Sequence, residues 1–116
     1  MKGGFTMKYR YVFMFSMLAL AVVPVASAAD GKGLYEANCA SCHGANAQGA
    51  FPGVPDLINS GRLKQADPAL IDHIMNGFQT AGAAMGMPPK GGDANLTSDD
   101  AKAILVFLRS IPGTSR

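Results

Sequence analysis

Two cysteines and a histidine fall within five residues, Cys39-Ala40-Ser41-Cys42-His43, and no other cysteine occurs in the 116 residues. No other feature limits the possible folds as strongly, because a helical turn bearing these groups must be set against whatever they hold. A Cys39–Cys42 disulfide would close so short a loop that it could restrict the unfolded chain only slightly. A structural zinc takes four ligands, and beyond Cys39, Cys42 and His43 the only further histidine or cysteine is the distant His73. A thioredoxin-like thiol pair belongs beside a βαβ pattern, and no convincing strand can be read in this chain.

Cys-x-x-Cys-His is also the attachment signature of c-type haem. Sulfurs three positions apart on a helical turn lie on one face, where each can add to one vinyl group of the ring. The next side chain then projects its imidazole at the iron, which makes His43 the expected proximal ligand. Iron held by one histidine has a sixth position, and its occupant separates electron transfer from small-molecule chemistry. Met85, Met87 and His73 are the candidates. Pro88 and Pro89 bias Met87 towards extended backbone and stiffen the loop behind it, while Gly82 and Gly86 let that loop come close to a ring. Met87 is therefore the expected ligand and Met85 the alternative; His73, between Ile71 and Ile74, reads as an ordinary partly exposed helix residue.

The first 28 residues have the order of a secretory signal. Lys2, Lys8 and Arg10 form a basic head, an apolar run follows, and Ala26-Ser27-Ala28 offers a small-residue cleavage site. An uncleaved anchor is the rival reading, since the uncharged run from Tyr11 to Ala29 nearly reaches the roughly 20 residues that span a bilayer. Cleavage after Ala28 is expected, leaving residues 29–116 as one domain in the periplasm with no membrane span. Three of the ten basic residues and none of the eight acidic ones precede residue 29, so the remainder carries seven against eight. A domain without a retained basic stripe is not a nucleic-acid binder.

Residues 29–116 contain 12 glycines and 6 prolines, a loop-rich composition, yet three helices can be read. The first runs from about Gly31 to Cys42. The second has Asp67 as N-cap and Pro68 as its first helical residue, with Ile71, Ile74, Met75 and Phe78 at helical spacing and Gly77 at its end. The third opens on Thr97 with Asp100 three residues on, repeats Ile104, Phe107, Leu108 and Ile111, and stops at Pro112-Gly113. The segments between them are too long to be mere connectors. The fold class is all-α, and a small core of this kind gains from a non-protein component.

With these residues in view, the chain from about Gly31 to Ile111 resembles the small class I cytochromes c of bacteria. Gly31 and Tyr35 stand eight and four residues before Cys39, as the small and aromatic first-helix positions of the family do, and Ile104 with Phe107 matches its last-helix pair. The resemblance implies the cytochrome c fold, three main helices and long loops around one covalent haem, with the first and last helices crossing at the glycine. It places a proline carbonyl, here that of Pro55, on the second ring nitrogen of His43, a bond that would fix the imidazole. It also packs Leu57 on the haem, and makes Met-Pro-Pro-Lys-Gly-Gly, residues 87–92, the methionine loop. The two methionines near that loop are a departure, as is the absence of a lysine ring for docking. Partners are then expected to meet an apolar rim around the haem edge.

A His/Met iron changes oxidation state without gaining or losing a ligand, and thioether ligation favours the reduced form. The expected function is that of a periplasmic mono-haem electron carrier, a monomer or weak dimer, exchanging single electrons with periplasmic or membrane-bound redox proteins. No acid–base pair or nucleophile can be read, so it is not expected to be an enzyme. The alternatives are a permanent haem subunit of a periplasmic oxidoreductase complex and a five-coordinate gas-binding haem. The last would lack the long-wavelength band that the resemblance implies for methionine-ligated ferric iron.

Overall fold

The computed structural model describes residues 29–114; the expected signal, residues 1–28, and its cleavage site lie outside them. Four helices and two 3₁₀ turns follow in order: α1 (Gly31–Asn38), α2 (Ala40–His43), a turn at Arg62–Lys64, α3 (Asp67–Asn76), a turn at Pro89–Gly92, and α4 (Ser98–Ser110). Among the described residues there is no strand, only an isolated antiparallel bridge between Phe78 and Met87. The all-α expectation holds.

Helix α4 is the spine. Thr97 caps its start: the Thr97 hydroxyl accepts from the Asp100 N–H at 3.1 Å, and the Asp100 carboxylate accepts from the Thr97 N–H at 2.9 Å, which satisfies two of the donors a helix start leaves open. Asp99 and Asp100 in the first turn and Arg109 in the last complement the helix dipole. Ala101, Ile104, Leu105 and Leu108 are buried on one face, while Val106 on the other is 70% exposed. Tyr35, Leu63, Leu70 and Leu96 join that face in one core, with Leu34, Ile58, Ile71, Phe107 and Ile111 packed around it.

Helices α1 and α3 both pack on α4. The α1 crossing is the tighter, because Gly31 lies directly against the α4 backbone. A Cβ at Gly31 would stand 2.1 Å from the Ala103 carbonyl oxygen and 3.2 Å from Phe107 Cβ. One turn further along, the Tyr35 and Phe107 rings meet with centroids 5.4 Å apart and tilted by 49°, a geometry that aromatic quadrupoles favour.

Two helix boundaries differ from expectation. The first helix is not continuous to Cys42: it breaks at Cys39, whose φ of −122° is not helical, and resumes as α2 through His43. The break goes with the loop that follows, since the Cys42 and His43 carbonyls accept from Ala50 and Gly49 at 2.9 and 2.7 Å. Helix α3 begins one residue early: Ala66 is its extended N-cap and Asp67 its first residue. The Asp67 carboxylate pairs with the Arg109 guanidinium. Pro68 in the first turn costs nothing, since those N–H groups have no intrahelical partner.

Gly31→Ala should force α1 away from α4 and lower the unfolding free energy by about 1–3 kcal/mol. Thermal or denaturant unfolding of the haem-loaded protein checks this.

Candidate functional site

The loop after α2 is folded back on the cysteine motif by its own backbone. Besides the bonds to Cys42 and His43, Leu57 N–H donates to the Ala47 carbonyl at 2.9 Å, and the Tyr35 hydroxyl donates to the Gly44 carbonyl at 2.6 Å. These bonds bring Val54, Pro55 and Leu57 onto the same cleft as Cys39, Cys42 and His43. Leu70, His73 and Ile74 of α3 and Ile104, Leu105 and Leu108 of α4 supply apolar wall, and Phe78, Met85 and Met87 complete the rim. Every candidate site residue read from the sequence therefore lies on one cleft: Cys39, Cys42, His43, Pro55, Leu57, Met87, and with them Met85 and His73.

The lining is close to uncharged. Both cysteines are free thiols, and burial, reinforced by the neighbouring Cys42, pushes the Cys39 thiol up to about 11. Burial, with a smaller contribution from Cys39, pushes the Tyr35 phenol up to about 12. Burial also lowers the His43 pKa, which favours the neutral imidazole, the form that binds a metal. Arg62 is the only lysine or arginine among the lining residues.

His43 Nδ1 is buried and has no hydrogen-bond partner. The expected bond to the Pro55 carbonyl is thus not formed here, although the two residues share the cleft. A buried, unpaired ring nitrogen costs about 1–3 kcal/mol.

The two methionines are held differently. Met87 is half-buried and its backbone is paired with Phe78, N–H to carbonyl at 2.7 Å one way and 3.1 Å the other. Met85 is 53% exposed on the intervening loop. His73 is half-buried and stacks on Phe78, ring centroids 4.0 Å apart.

The family described as "Cytochrome C oxidase, cbb3-type, subunit III" matches residues 26–108. The chain belongs to the c-type cytochromes. It is 40% identical over 83 residues to cytochrome c-555 of Prosthecochloris aestuarii, covering 69% of this chain and 83% of that one. It is 36% identical over 84 residues to the lupanine 17-hydroxylase cytochrome c of a Pseudomonas species, which takes in 72% of this chain and 11% of the hydroxylase. Among solved structures it is similar to cytochrome cL of Methylophaga aminisulfidivorans, with a TM-score of 0.54 and 27% identity over 70% of this chain and 50% of that one. The chain thus matches one relative over most of its length and spans only a small part of another.

The cofactor of a c-type cytochrome is covalently bound haem c, and the residues present suit it. Two free thiols suit its vinyl groups, a neutral imidazole suits its iron, and the apolar side chains of α3 and α4 suit the ring. A cation at Arg62 suits its carboxylates. Sequence reasoning missed Arg62 and Gln65, which reach the cytochrome's cleft through the turn before α3; no local pattern marks them.

Gly77 connects α3 to the methionine segment with φ of +81°, and a Cβ there would stand 2.8 Å from the Met87 carbonyl oxygen. Gly77→Ala should therefore part the helix end from that segment and cost the haem-loaded cytochrome about 2 kcal/mol of stability, measured by denaturant unfolding.

Proposed function

We propose that this cytochrome is a one-electron carrier of the periplasm, its haem held by Cys39 and Cys42 and ligated by His43 and Met87. The observation that supports this reading most directly is the meeting of both thiols, the imidazole and the half-buried Met87 on one apolar, nearly uncharged cleft. When bound, haem supplies a reversible one-electron couple. The protein's part is to hold that couple still and keep it dry.

His43 and Met87 come from separate elements, one on α2 and the other on the segment paired with Phe78, so the two ligand positions are fixed independently. Each is anchored by backbone hydrogen bonds, which limits how far either can move when the charge at the site changes. The walls of Leu70, Ile74, Ile104, Leu105 and Leu108 exclude water and favour the less charged reduced state. Turning of the His43 ring towards the Pro55 carbonyl would occupy Nδ1 and fix the imidazole once Nε2 is engaged. Leu57 would pack on the ring from the same loop. No bond is made or broken when the electron passes, and no acid–base group is required.

Residues 1–28 act as a cleavable signal, and residues 29–116 are the functional domain. Among the described residues no helix is long and apolar enough to cross a membrane. The partners are periplasmic or membrane-bound redox proteins. The exposed Phe78 and Met85 give the rim of the cleft an apolar surface on which they can dock.

A second reading, a permanent haem subunit of an oxidoreductase complex, is favoured by one fact: the chain also matches 30% of the length of the oxidase subunit CcoP of Azospirillum brasilense. Gel filtration of the native periplasmic protein separates the two. A carrier elutes at the size of one or two copies, whereas a subunit elutes with a larger redox protein.

The purified protein should be coloured and give the pyridine haemochrome spectrum of thioether-linked haem. Met87→Ala should keep the covalent haem while abolishing the long-wavelength band of the ferric form and lowering the midpoint potential. If Met85→Ala does this and Met87→Ala does not, the ligand assignment fails. A colourless, folded protein from cells that mature cytochromes would end the haem reading.

A further inference from the structure

Resting on that reading, we propose that Arg109 is a positioning residue for the haem. Its guanidinium clamps the turn that carries Arg62, Leu63 and Gln65, fixes that wall of the cleft, and so sets the balance between the reduced and oxidised states.

Arg109 sits in the last turn of α4 with its side chain only 11% exposed. Its Nε donates to the Leu63 carbonyl at 3.3 Å, its Nη2 donates to the Leu63 and Gln65 carbonyls at 3.2 and 2.9 Å, and its Nη1 pairs with the Asp67 carboxylate. One planar fork thereby holds two carbonyls and a carboxylate from a segment more than 40 residues away. Apart from Arg109, the turn is held by contacts within itself, Gln65 Nε2 to the Arg62 carbonyl at 3.2 Å and the Arg62 N–H to the Ser60 hydroxyl at 3.4 Å, and by Leu63 in the core. The turn's own backbone bonds, Lys64 to Gly61 and Gln65 to Arg62, are 3.1 and 3.3 Å long, and no side chain caps α3 at Ala66.

The two sides of the same residues face different tasks. The backbone carbonyls of Leu63 and Gln65 face Arg109, while Arg62, Leu63 and Gln65 are among the residues that line the cleft, Leu63 being buried. Movement of the backbone is therefore movement of the wall. A loosened wall admits water to the ring, and water stabilises the more highly charged oxidised state. Lysine in place of Arg109 keeps the positive charge but offers a point donor in place of a planar fork. A change in potential on that substitution reports geometry, not lost charge.

Redox titration of the haem-loaded protein tests this, at a temperature where every variant is fully folded. Arg109→Lys should lower the equilibrium constant for reduction at least threefold while the methionine-ligation band remains. Thr97→Ala, which removes the cap of the same helix far from the turn, should lower the melting temperature and leave the potential unchanged. If Arg109→Lys behaves like Thr97→Ala, stability reduced and potential unmoved, the proposal is overturned. In the unmodified protein the Arg109 Nε–H should exchange slowly with solvent; exchange at the rate of a free arginine overturns the clamp without any variant. Absence of thioether-bound haem from the unmodified protein would overturn the reading beneath it, and the pyridine spectrum shows this separately.

Discussion

Backbone contact between α1 and α4 at Gly31 and Ala103 governs the rest of the structure. With no side chain between them, the two helices approach closely enough for the Tyr35 ring to meet Phe107. That same Tyr35 then reaches the Gly44 carbonyl just beyond the cysteine motif. The motif is thus tied to α4 through a chain of direct contacts: glycine on backbone, ring on ring, hydroxyl on carbonyl. Because Ile104, Leu105 and Leu108 follow on the same α4 face, fixing the crossing also fixes the distance from the thiols to the apolar wall opposite. A wider crossing would separate the two sides of the cleft and leave neither with a complete surface.

The cleft that results would be a poor protein core. It contains an unpaired buried nitrogen on His43, and it is lined by apolar side chains from α3 and α4. The unpaired nitrogen costs stability in a chain rich in loops, where few residues are available to bury. An apolar ring carrying a metal suits such a lining. It would cover the aliphatic walls and use the imidazole, so the same group completes the fold and performs the chemistry. This coupling distinguishes the site from a ligand pocket cut into an otherwise finished protein.

Local chemistry was legible in the sequence, and long-range chemistry was not. The capping box at Thr97 and Asp100, the apolar spacing of α4 and the cysteine motif all act within a few residues, so their pattern is their mechanism. The break at Cys39 was not legible, because it is coupled to hydrogen bonds from Gly49 and Ala50 in a loop with no periodic signal. The shift in the start of α3 was not legible either: Asp67 is a good N-cap by composition, yet it is the first helical residue, and its carboxylate pairs with an arginine 42 residues later. Arg62 escaped notice because a lone arginine in a loop is ordinarily a solvated charge, and only the fold shows that it faces the cleft. The candidate site residues were legible as local patterns, the cysteine motif and the Met-Pro-Pro segment, and the fold brings them to one cleft.

Met87 and Met85 show how a loop can discriminate between two identical side chains. Both lie on the rim of one cleft and both carry the same sulfur, so intrinsic donor strength cannot select between them. What differs is the backbone. Met87 is paired with Phe78 through both its N–H and its carbonyl and is followed by two prolines, so few conformations remain open to it. Met85 lies on the loop between those paired residues, more than half exposed. Bringing Met85 to a fixed point would order its rotamers and its loop, at a cost of about 1–2 kcal/mol for each backbone residue fixed. Met87 has already met that cost through the bridge. The proposed preference for Met87 therefore rests on restricted entropy rather than on any stronger attraction, and it requires the Phe78 pairing.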